Sequence, residues 1–151
     1  MTPRPATDFG IYAELDGTPD APRRARELIR QGLGSDHPSA DDSALAVSEL
    51  VGNAVVHSRS GEPGGTLFLA IETAVGRGDV RIQVRDAGSH DAPAIHAHGP
   101  DSEHGRGLAI IAALAAEWGT QSTRTGRATW ARIGGRQPAA AQSPVPEREA
   151  G

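Results

Sequence analysis

The stretch Ser48-Glu-Leu-Val-Gly-Asn-Ala-Val-Val-His57 places three polar residues, Glu49, Asn53 and His57, four positions apart. On an α-helix, which advances by about 100° per residue, three such residues share an arc of about 80°. Apolar side chains occupy the broad opposite sector of the same helix. They are Val47, Leu50, Val51, Ala54 and Val55. The pattern predicts a helix that packs its apolar sector on a sheet and turns its polar arc toward something other than the core.

The residue types on the polar arc suit a magnesium–nucleotide site. The amide oxygen of Asn53 is a hard ligand of the kind that Mg²⁺ prefers, and Mg²⁺ keeps several waters and bridges phosphate oxygens. Glu49, one turn away, is placed to orient or deprotonate a nucleophile that attacks a γ-phosphate. A solvated helix face that ends in a histidine explains the same three residues. The arc by itself leaves both interpretations open.

Hydrophobic periodicity and turn residues place this helix in a chain that mixes helices with strands. We predict strands at residues 9–15, 66–74, 80–86, 118–123 and 128–133, and helices at residues 19–33, 42–58 and 106–117. The second helix is expected to take Ser39 or Asp41 as its N-cap. Gly119 is expected just past the end of the third helix.

These elements predict an α+β fold of one domain. The expected architecture is a two-layer sandwich, with helices on one face of a mixed, mostly antiparallel sheet. Trp118 and Trp130 are expected to pack a small core built mainly from aliphatic residues. Residues 9–133 are expected to form the domain, residues 1–8 an N-terminal extension, and residues 134–151 a disordered tail.

Composition excludes several classes of protein. The 151 residues suffice for one domain, and a net charge of −4 provides no basic field for direct contact with nucleic acid. No cysteine is present, which removes disulfides, thiolate catalysis and cysteine-ligated zinc. No apolar run reaches the roughly 18 residues of a membrane span and no signal peptide is recognisable, so we expect a soluble, cytoplasmic protein. All 15 basic residues are arginines, which excludes any mechanism that needs a lysine on phosphate.

Residues 87–105 form a long connection without apolar periodicity. Connections in compact domains usually span about 4–6 residues, so this length indicates a functional loop or a disordered insert. Four histidines crowd the connection, and they are His90, His96, His98 and His104. His96 and His98 could supply half of a zinc site, but no acidic or cysteine ligand stands at a fixed spacing, which favours a polar loop.

The stretch from Ser48 to His57 resembles the N box of the GHKL (histidine-kinase-like) ATPases, in the form Glu-x-x-x-Asn-Ala-x-x-His of bacterial anti-sigma serine kinases. Val84-Arg-Asp-Ala-Gly88 resembles the next box of that family. The resemblance implies that Asp86 accepts a hydrogen bond from the adenine amino group. It also implies that Gly88 lets the chain turn beside the base.

Two further motifs follow in the family's order. His104-Gly-Arg-Gly-Leu108 resembles the second glycine box, which implies that Gly105, Arg106, Gly107 and Leu108 lie along the phosphates. The chemistry is sound without the family, because glycines permit close backbone approach and a helix N-terminus offers free N–H groups to an anion. Gly126-Arg-Ala-Thr-Trp-Ala-Arg-Ile133 resembles the terminal strand, in which Thr129 would reach the adenine region.

The four motifs together imply an ATP site with Mg²⁺ on Asn53, His57 beside the nucleotide, Glu49 as the base, and residues 87–105 as an ATP lid. They also imply a homodimer. Two departures stand out: the box at Asp86 lacks a further glycine, and the second glycine box has only one Gly-x-Gly. Because the chain has no lysine, Arg106 is the best-placed cation for the phosphates.

The resemblance implies a serine/threonine kinase that phosphorylates an anti-anti-sigma (STAS-domain) protein and sequesters a sigma factor when that partner is modified. A non-catalytic, ATP-dependent binding module is the alternative, because the glycine boxes are short. A histidine kinase is disfavoured, because no segment remains for a phosphoacceptor domain. The first predicted helix offers an arginine-rich face that suits either an acidic partner or solvent. Its residues are Arg23, Arg24, Arg26 and Arg30.

Overall fold

The computed structural model describes residues 7–74, 78–89 and 103–134. Within these residues the chain forms five strands, three α-helices and one turn of 3-10 helix. In chain order they are β1 (Thr7–Asp16), α1 (Ala21–Leu33), α2 (Ala40–His57), the 3-10 turn (Arg59–Gly61), β2 (Thr66–Ala74), β3 (Asp79–Asp86), α3 (Glu103–Leu114), β4 (Ala115–Thr123) and β5 (Gly126–Gly134).

The five strands form one sheet in the order β1-β2-β3-β5-β4, and each described pair of neighbours is antiparallel. Successive side chains of a strand point to opposite faces, so one face can be buried while the other meets water. On β3, Val80, Ile82 and Val84 are buried, whereas Arg81 and Arg85 are exposed. The predicted α+β class is confirmed, and the described part of the sheet is antiparallel throughout.

Helix α2 packs between α1 and α3 and contacts the sheet at β3 and β5. Its apolar sector is buried as predicted, with Val47, Leu50, Val51 and Ala54 in the core. Burial of each aliphatic side chain contributes about 1.5–3 kcal/mol to folding, so this sector holds the helix on the sheet. The polar arc is not needed for that packing. Ser39 is the residue before the helix, and its hydroxyl donates to the carbonyl oxygen of Gly78 at 3.0 Å. None of the described helices combines the length and apolarity that crossing a membrane requires.

The third helix and the fourth strand differ from the predicted boundaries. Helix α3 begins at Glu103 and ends at Leu114, whereas the sequence predicted residues 106–117. Strand β4 takes over at Ala115 because Ala115 pairs with Ile133 on β5. Residues 115–117 favour a helix by local propensity, and the pairing with a neighbouring strand outweighs that small preference.

Gly119 is therefore not at a helix end, as predicted, but inside β4 opposite Trp130. A Cβ on Gly119 would stand 3.0 Å from Trp130 Nε1, so the indole lies against this glycine. Trp118 packs against the core as predicted. Trp130 lies on the other face of the sheet, where the guanidinium carbon of Arg81 stands 5.5 Å from the ring centroid. The prediction that both tryptophans pack the core is wrong for Trp130, because its neighbour Ala131 takes the inward position.

Candidate functional site

The inner face of the sheet changes from apolar to polar along β3 and β5. Val84 is buried opposite Thr129, and the next inward pair consists of Asp86 and Arg127. Residues that are diagonal across two antiparallel strands lie within reach of long side chains, so Thr129 neighbours Asp86. Polar groups at one end of an otherwise apolar face indicate a binding site at that end.

Asp86 presents a nearly buried carboxylate, whose side chain is only 5% exposed. Its Oδ1 accepts a hydrogen bond from the backbone N–H of Gly88 at 2.7 Å. Its Oδ2 stands 3.9 Å from Arg127 Nε, which is too long for a hydrogen bond. Burial raises the pKa of Asp86, while the Gly88 N–H and the charge of Arg127 partly offset that rise. The carboxylate therefore keeps one oxygen ready for a donor that a ligand supplies.

Two glycines let the backbone turn closely beside this carboxylate. Gly88 has φ of 80°, in the left-handed region that favours glycine. Gly126, at the start of β5, packs against the end of β3, because a Cβ there would lie 1.9 Å from the carbonyl oxygen of Asp86. The same Gly126 limits Gly88, whose added Cβ would lie 3.2 Å from Gly126 Cα. The position of Asp86 thus depends on backbone contacts that admit no side chain.

A serine-based network joins the end of α2 to the end of β3. Ser58 Oγ donates to the carbonyl oxygen of Ala54 at 2.7 Å and accepts from the N–H of Ser60 at 3.0 Å. The buried Ser60 Oγ accepts from the N–H of Ala87 at 2.9 Å. The N–H of Arg59 donates to the carbonyl oxygen of Gly88 at 2.7 Å. The turn after Asp86 is thereby held at a set distance from the last turns of α2.

The polar arc of α2 faces away from the core, as the sequence predicted. Glu49 and Asn53 are half-buried, and neither side chain makes a hydrogen bond or ion pair with another residue in the described part of the chain. His57 is also half-buried and ends the helix. A carboxylate and an amide oxygen, one turn apart and both unengaged, suit a hard divalent cation and a proton transfer.

Thr129 lies on the inner face of β5 beside a second threonine. Its Oγ1 stands 3.2 Å from Thr120 Oγ1 on β4, and either hydroxyl can be the donor. In such a pair, one hydroxyl keeps its proton for another acceptor. Thr129 and Thr120 can therefore share one hydrogen bond and still offer a donor next to Asp86.

The second glycine motif lies inside the first turns of α3. Because the helix begins at Glu103, Gly105 and Arg106 are among the four leading residues whose N–H groups lack an intrahelical partner. Gly107 follows in the same helix, and Leu108 is half-buried. Helix α3 packs against α2, so its N-terminal end belongs to the same layer as the polar arc.

Some of the sequence predictions lie outside the described residues. They include most of the predicted lid, at residues 90–102, together with His90, His96 and His98. Within the described ranges, no three histidine or acidic side chains come together in a way that would hold a metal ion. The oxygen of Asn53, with phosphate and water oxygens to complete the shell, fits the sparse protein ligation that is usual for Mg²⁺.

Comparison with known families bears on this arrangement. The model of the histidine kinase-like ATPase domain matches residues 11–133. The chain belongs to this family. Among solved structures, it is similar to that of the RsbU and RsbW domains of Rv1364c from Mycobacterium tuberculosis, with a TM-score of 0.63 and 27% sequence identity. The match covers 85% of this chain and 33% of that chain, so the present chain spans about one third of the larger protein.

The histidine kinase-like ATPase fold brings several of the predicted residues to one end of the sheet. Asp86 and Thr129 are diagonal neighbours, and the serine network ties the turn at Gly88 to the end of α2, where Asn53 and His57 lie. Glu49 lies one turn further from that end. The backbone of the second glycine motif is in α3, the helix that packs against α2.

Sequence reasoning missed three residues of this region, namely Ser60, Thr120 and Arg127. Ser60 lies in a loop rich in glycine and proline, and nothing in that composition marks it as buried. Thr120 and Arg127 acquire their neighbours through the register of β4, β5 and β3. Arg127 could have been assigned to the site if the register of β5 against β3 had been known, because that register pairs it with Asp86.

Proposed function

We propose that residues 9–133 form an ATP-binding domain of an anti-sigma regulatory protein that acts as a serine/threonine protein kinase on an anti-anti-sigma (STAS-domain) partner. The observation that carries the proposal is the carboxylate of Asp86, which is nearly buried, oriented by the N–H of Gly88 and left with one oxygen that makes no hydrogen bond to a described residue. An adenine amino group is a donor that such an oxygen would accept. Membership of the histidine kinase-like ATPase family supports ATP as the ligand.

The proposed mechanism assigns one task to each element. Asp86 and Thr129 bind the adenine, and the free N–H groups at Gly105 and Arg106 face the phosphates. The side-chain oxygen of Asn53 would hold Mg²⁺, and His57 would lie beside the nucleotide. When bound, Mg²⁺ would neutralise charge on the β- and γ-phosphates.

Glu49 then acts on the partner's serine. It accepts the hydroxyl proton while the serine oxygen bonds to the γ-phosphorus, and the oxygen that bridges the β- and γ-phosphates leaves with ADP. The carboxylate of Glu49 makes no hydrogen bond or ion pair with the described residues, which supports this role, because a base that is tied in an ion pair would have to break it first.

A non-catalytic, ATP-dependent binding module is the second candidate. One observation favours it: both glycines of the second motif lie within α3, so fewer free N–H groups reach the phosphates than a longer glycine-rich loop would supply. Such a protein would bind Mg–ATP and hold its partner without phosphorylating it. The experiment that separates the two candidates is incubation with labelled ATP and anti-anti-sigma proteins from the same genome, read as serine phosphorylation.

A test of the adenine assignment uses Asp86. Replacing Asp86 by alanine should weaken ATP binding by about 1–3 kcal/mol, because the adenine amino group loses its acceptor. Isothermal calorimetry with ATP and GTP measures the effect, and the wild type should prefer ATP. Equal affinity of the wild type for the two nucleotides would refute the assignment.

Asp79 offers a matched control at the other end of β3. It is buried like Asp86 and stands 3.8 Å from Arg132 on β5, as Asp86 stands 3.9 Å from Arg127. Asp79→Ala removes a buried carboxylate from the same strand, so it should lower stability and leave the ATP affinity of the folded protein unchanged. A similar loss of affinity in both variants would mean that strand destabilisation, not base recognition, explains the result.

We propose the outer face of the sheet as the surface of a homodimer. Tyr12 and Phe68 are exposed there, and Trp130 lies on the same face. Glycines let two of the rings lie flat, because a Cβ on Gly10 would contact the Tyr12 ring and one on Gly119 the indole of Trp130. An exposed aromatic surface of this kind commonly marks an interface.

The dimer proposal predicts that Phe68→Arg raises the dimer dissociation constant by at least about 10-fold, because a two-fold interface contains each residue twice. Sedimentation velocity over a dilution series measures the change. Leu45→Arg is the matched control, since Leu45 on α2 is 43% exposed, as is Phe68. A wild-type protein that remains monomeric at the highest concentration would contradict the proposal.

A further inference from the structure

Arg127 has an unsatisfied donor beside the Oδ2 oxygen of Asp86. Its Nε is buried and makes no hydrogen bond in the described part of the chain. The whole side chain is 27% exposed, so the exposed fraction belongs to its other atoms. A buried donor without an acceptor costs about 1–3 kcal/mol, and native structures retain few of them. Because Nε has almost no accessible surface as it stands, the guanidinium must rotate to bring a donor to an acceptor on a ligand, and such an acceptor would remove this cost.

The contrast with Arg132, a half-buried arginine on the outer face of β5, shows that an arginine of this strand need not be left in this way. Arg132 Nη1 stands 3.8 Å from Asp79, and its Nη2 stands 3.4 Å from Glu117 on β4. Among the described residues, the one ion-pair partner of Arg127 is Asp86, at 3.9 Å, and one oxygen of Asp86 already accepts from the N–H of Gly88. The end of β5 that faces the proposed base therefore holds an acceptor and a donor side by side, and neither satisfies the other.

We propose that Arg127 is a specificity-determining residue that donates a hydrogen bond to a ring nitrogen flanking the adenine amino group. This inference rests on the proposed nucleotide site. Adenine presents an amino donor next to a ring-nitrogen acceptor on either side, at N1 and at N7. Asp86 accepts a hydrogen bond from the adenine amino group, and Arg127 donates one to the neighbouring ring nitrogen. Guanine carries an oxygen in place of the amino group, and that oxygen would face the carboxylate of Asp86 without a proton between them.

The test compares the wild type with Arg127→Met, which retains an unbranched chain and removes the donor. Calorimetry with ATP should show a loss of about 5- to 100-fold in affinity, the range expected for one unsatisfied buried partner. Binding of 1-deaza-ATP and 7-deaza-ATP identifies the nitrogen. The wild type should bind one of the two analogues more weakly than ATP, by a factor similar to that of the Arg127→Met substitution. The Arg127→Met variant should bind that analogue and ATP equally well.

Two controls keep the result interpretable. Arg132→Met removes the arginine on the outer face of β5, away from Asp86, and should leave ATP affinity unchanged. If Arg127 merely orders Asp86, Arg127→Met will weaken ATP and both deaza analogues by the same factor, which overturns the proposal. ATP affinity equal to that of the wild type also overturns it. A wild type that binds no nucleotide would instead refute the proposed function.

Discussion

Replacing Glu49 by glutamine is expected to slow serine phosphorylation of the partner by about 10²- to 10⁴-fold while leaving ATP affinity close to that of the wild type. Glutamine preserves the shape of the side chain and removes only the ability to accept the proton. Because Glu49 makes no hydrogen bond or ion pair within the described residues, the substitution breaks no other contact there. A loss of rate would therefore report on the chemistry.

Asn53→Ala should fail in a different way. It removes the proposed ligand of Mg²⁺, so ATP affinity in the presence of Mg²⁺ should fall by about 10-fold or more. Affinity measured in EDTA should change little. Measured together, the two variants separate metal-dependent binding from proton transfer, although their side chains are only one helical turn apart.

Asp42→Asn is the matched control for Glu49→Gln. Asp42 is an exposed acid in the first turn of the same helix, two turns before the polar arc. The Asp42→Asn variant should phosphorylate the partner at the wild-type rate. A Glu49→Gln variant as active as the wild type would refute the base assignment. A wild type that binds Mg–ATP tightly and phosphorylates no candidate partner would favour the binding module.

Replacing Gly126 by alanine is expected to lower the free energy of unfolding by about 3 kcal/mol, at the upper end of the usual range for overpacking. The added Cβ would lie 1.9 Å from the carbonyl oxygen of Asp86 and 2.8 Å from the carbonyl carbon of Ala87. Both are backbone atoms, and they cannot rotate away as a flexible side chain would. The strands must separate where Asp86 leaves the sheet, so ATP affinity should fall as well.

Urea unfolding and calorimetry measure the two effects of Gly126→Ala. Gly64→Ala is the control, because Gly64 has φ of 82° and no atom within 4 Å of an added Cβ. Its cost should be limited to the left-handed backbone conformation, about 1–2 kcal/mol, and ATP affinity should be unchanged. A Gly126→Ala protein as stable as the wild type would show that β3 and β5 can shift apart at little cost.

The correct predictions rested on residues that are close in sequence. The alternation of Val80, Ile82 and Val84 identified β3, and the spacing of Glu49 and Asn53 identified the polar arc of α2. Both patterns follow from the helical and strand periods, which any local segment expresses before it meets the rest of the chain. Resemblance to the family then placed these elements in one fold, and the family match over residues 11–133 agrees with it.

The errors arose where a distant segment overrides local preference. Residues 115–117 belong to β4 because β5 pairs with them, and Gly119 lies in the same strand because it pairs with Trp130, whose indole lies against it. Local propensities differ by less than about 1 kcal/mol per residue, so a single row of strand hydrogen bonds and a packed ring can reverse them.

The sequence by itself determined the helix that carries Glu49, Asn53 and His57, the strand that ends at Asp86, and the α+β class. Only the tertiary structure decided which groups surround Asp86. The N–H of Gly88, the unsatisfied Nε of Arg127 and the backbone of Gly126 meet it through strand register and through the hydrogen bonds of Ser60. Periodicity sets the face on which a side chain lies, whereas its neighbours on that face depend on which strands pair and in which register.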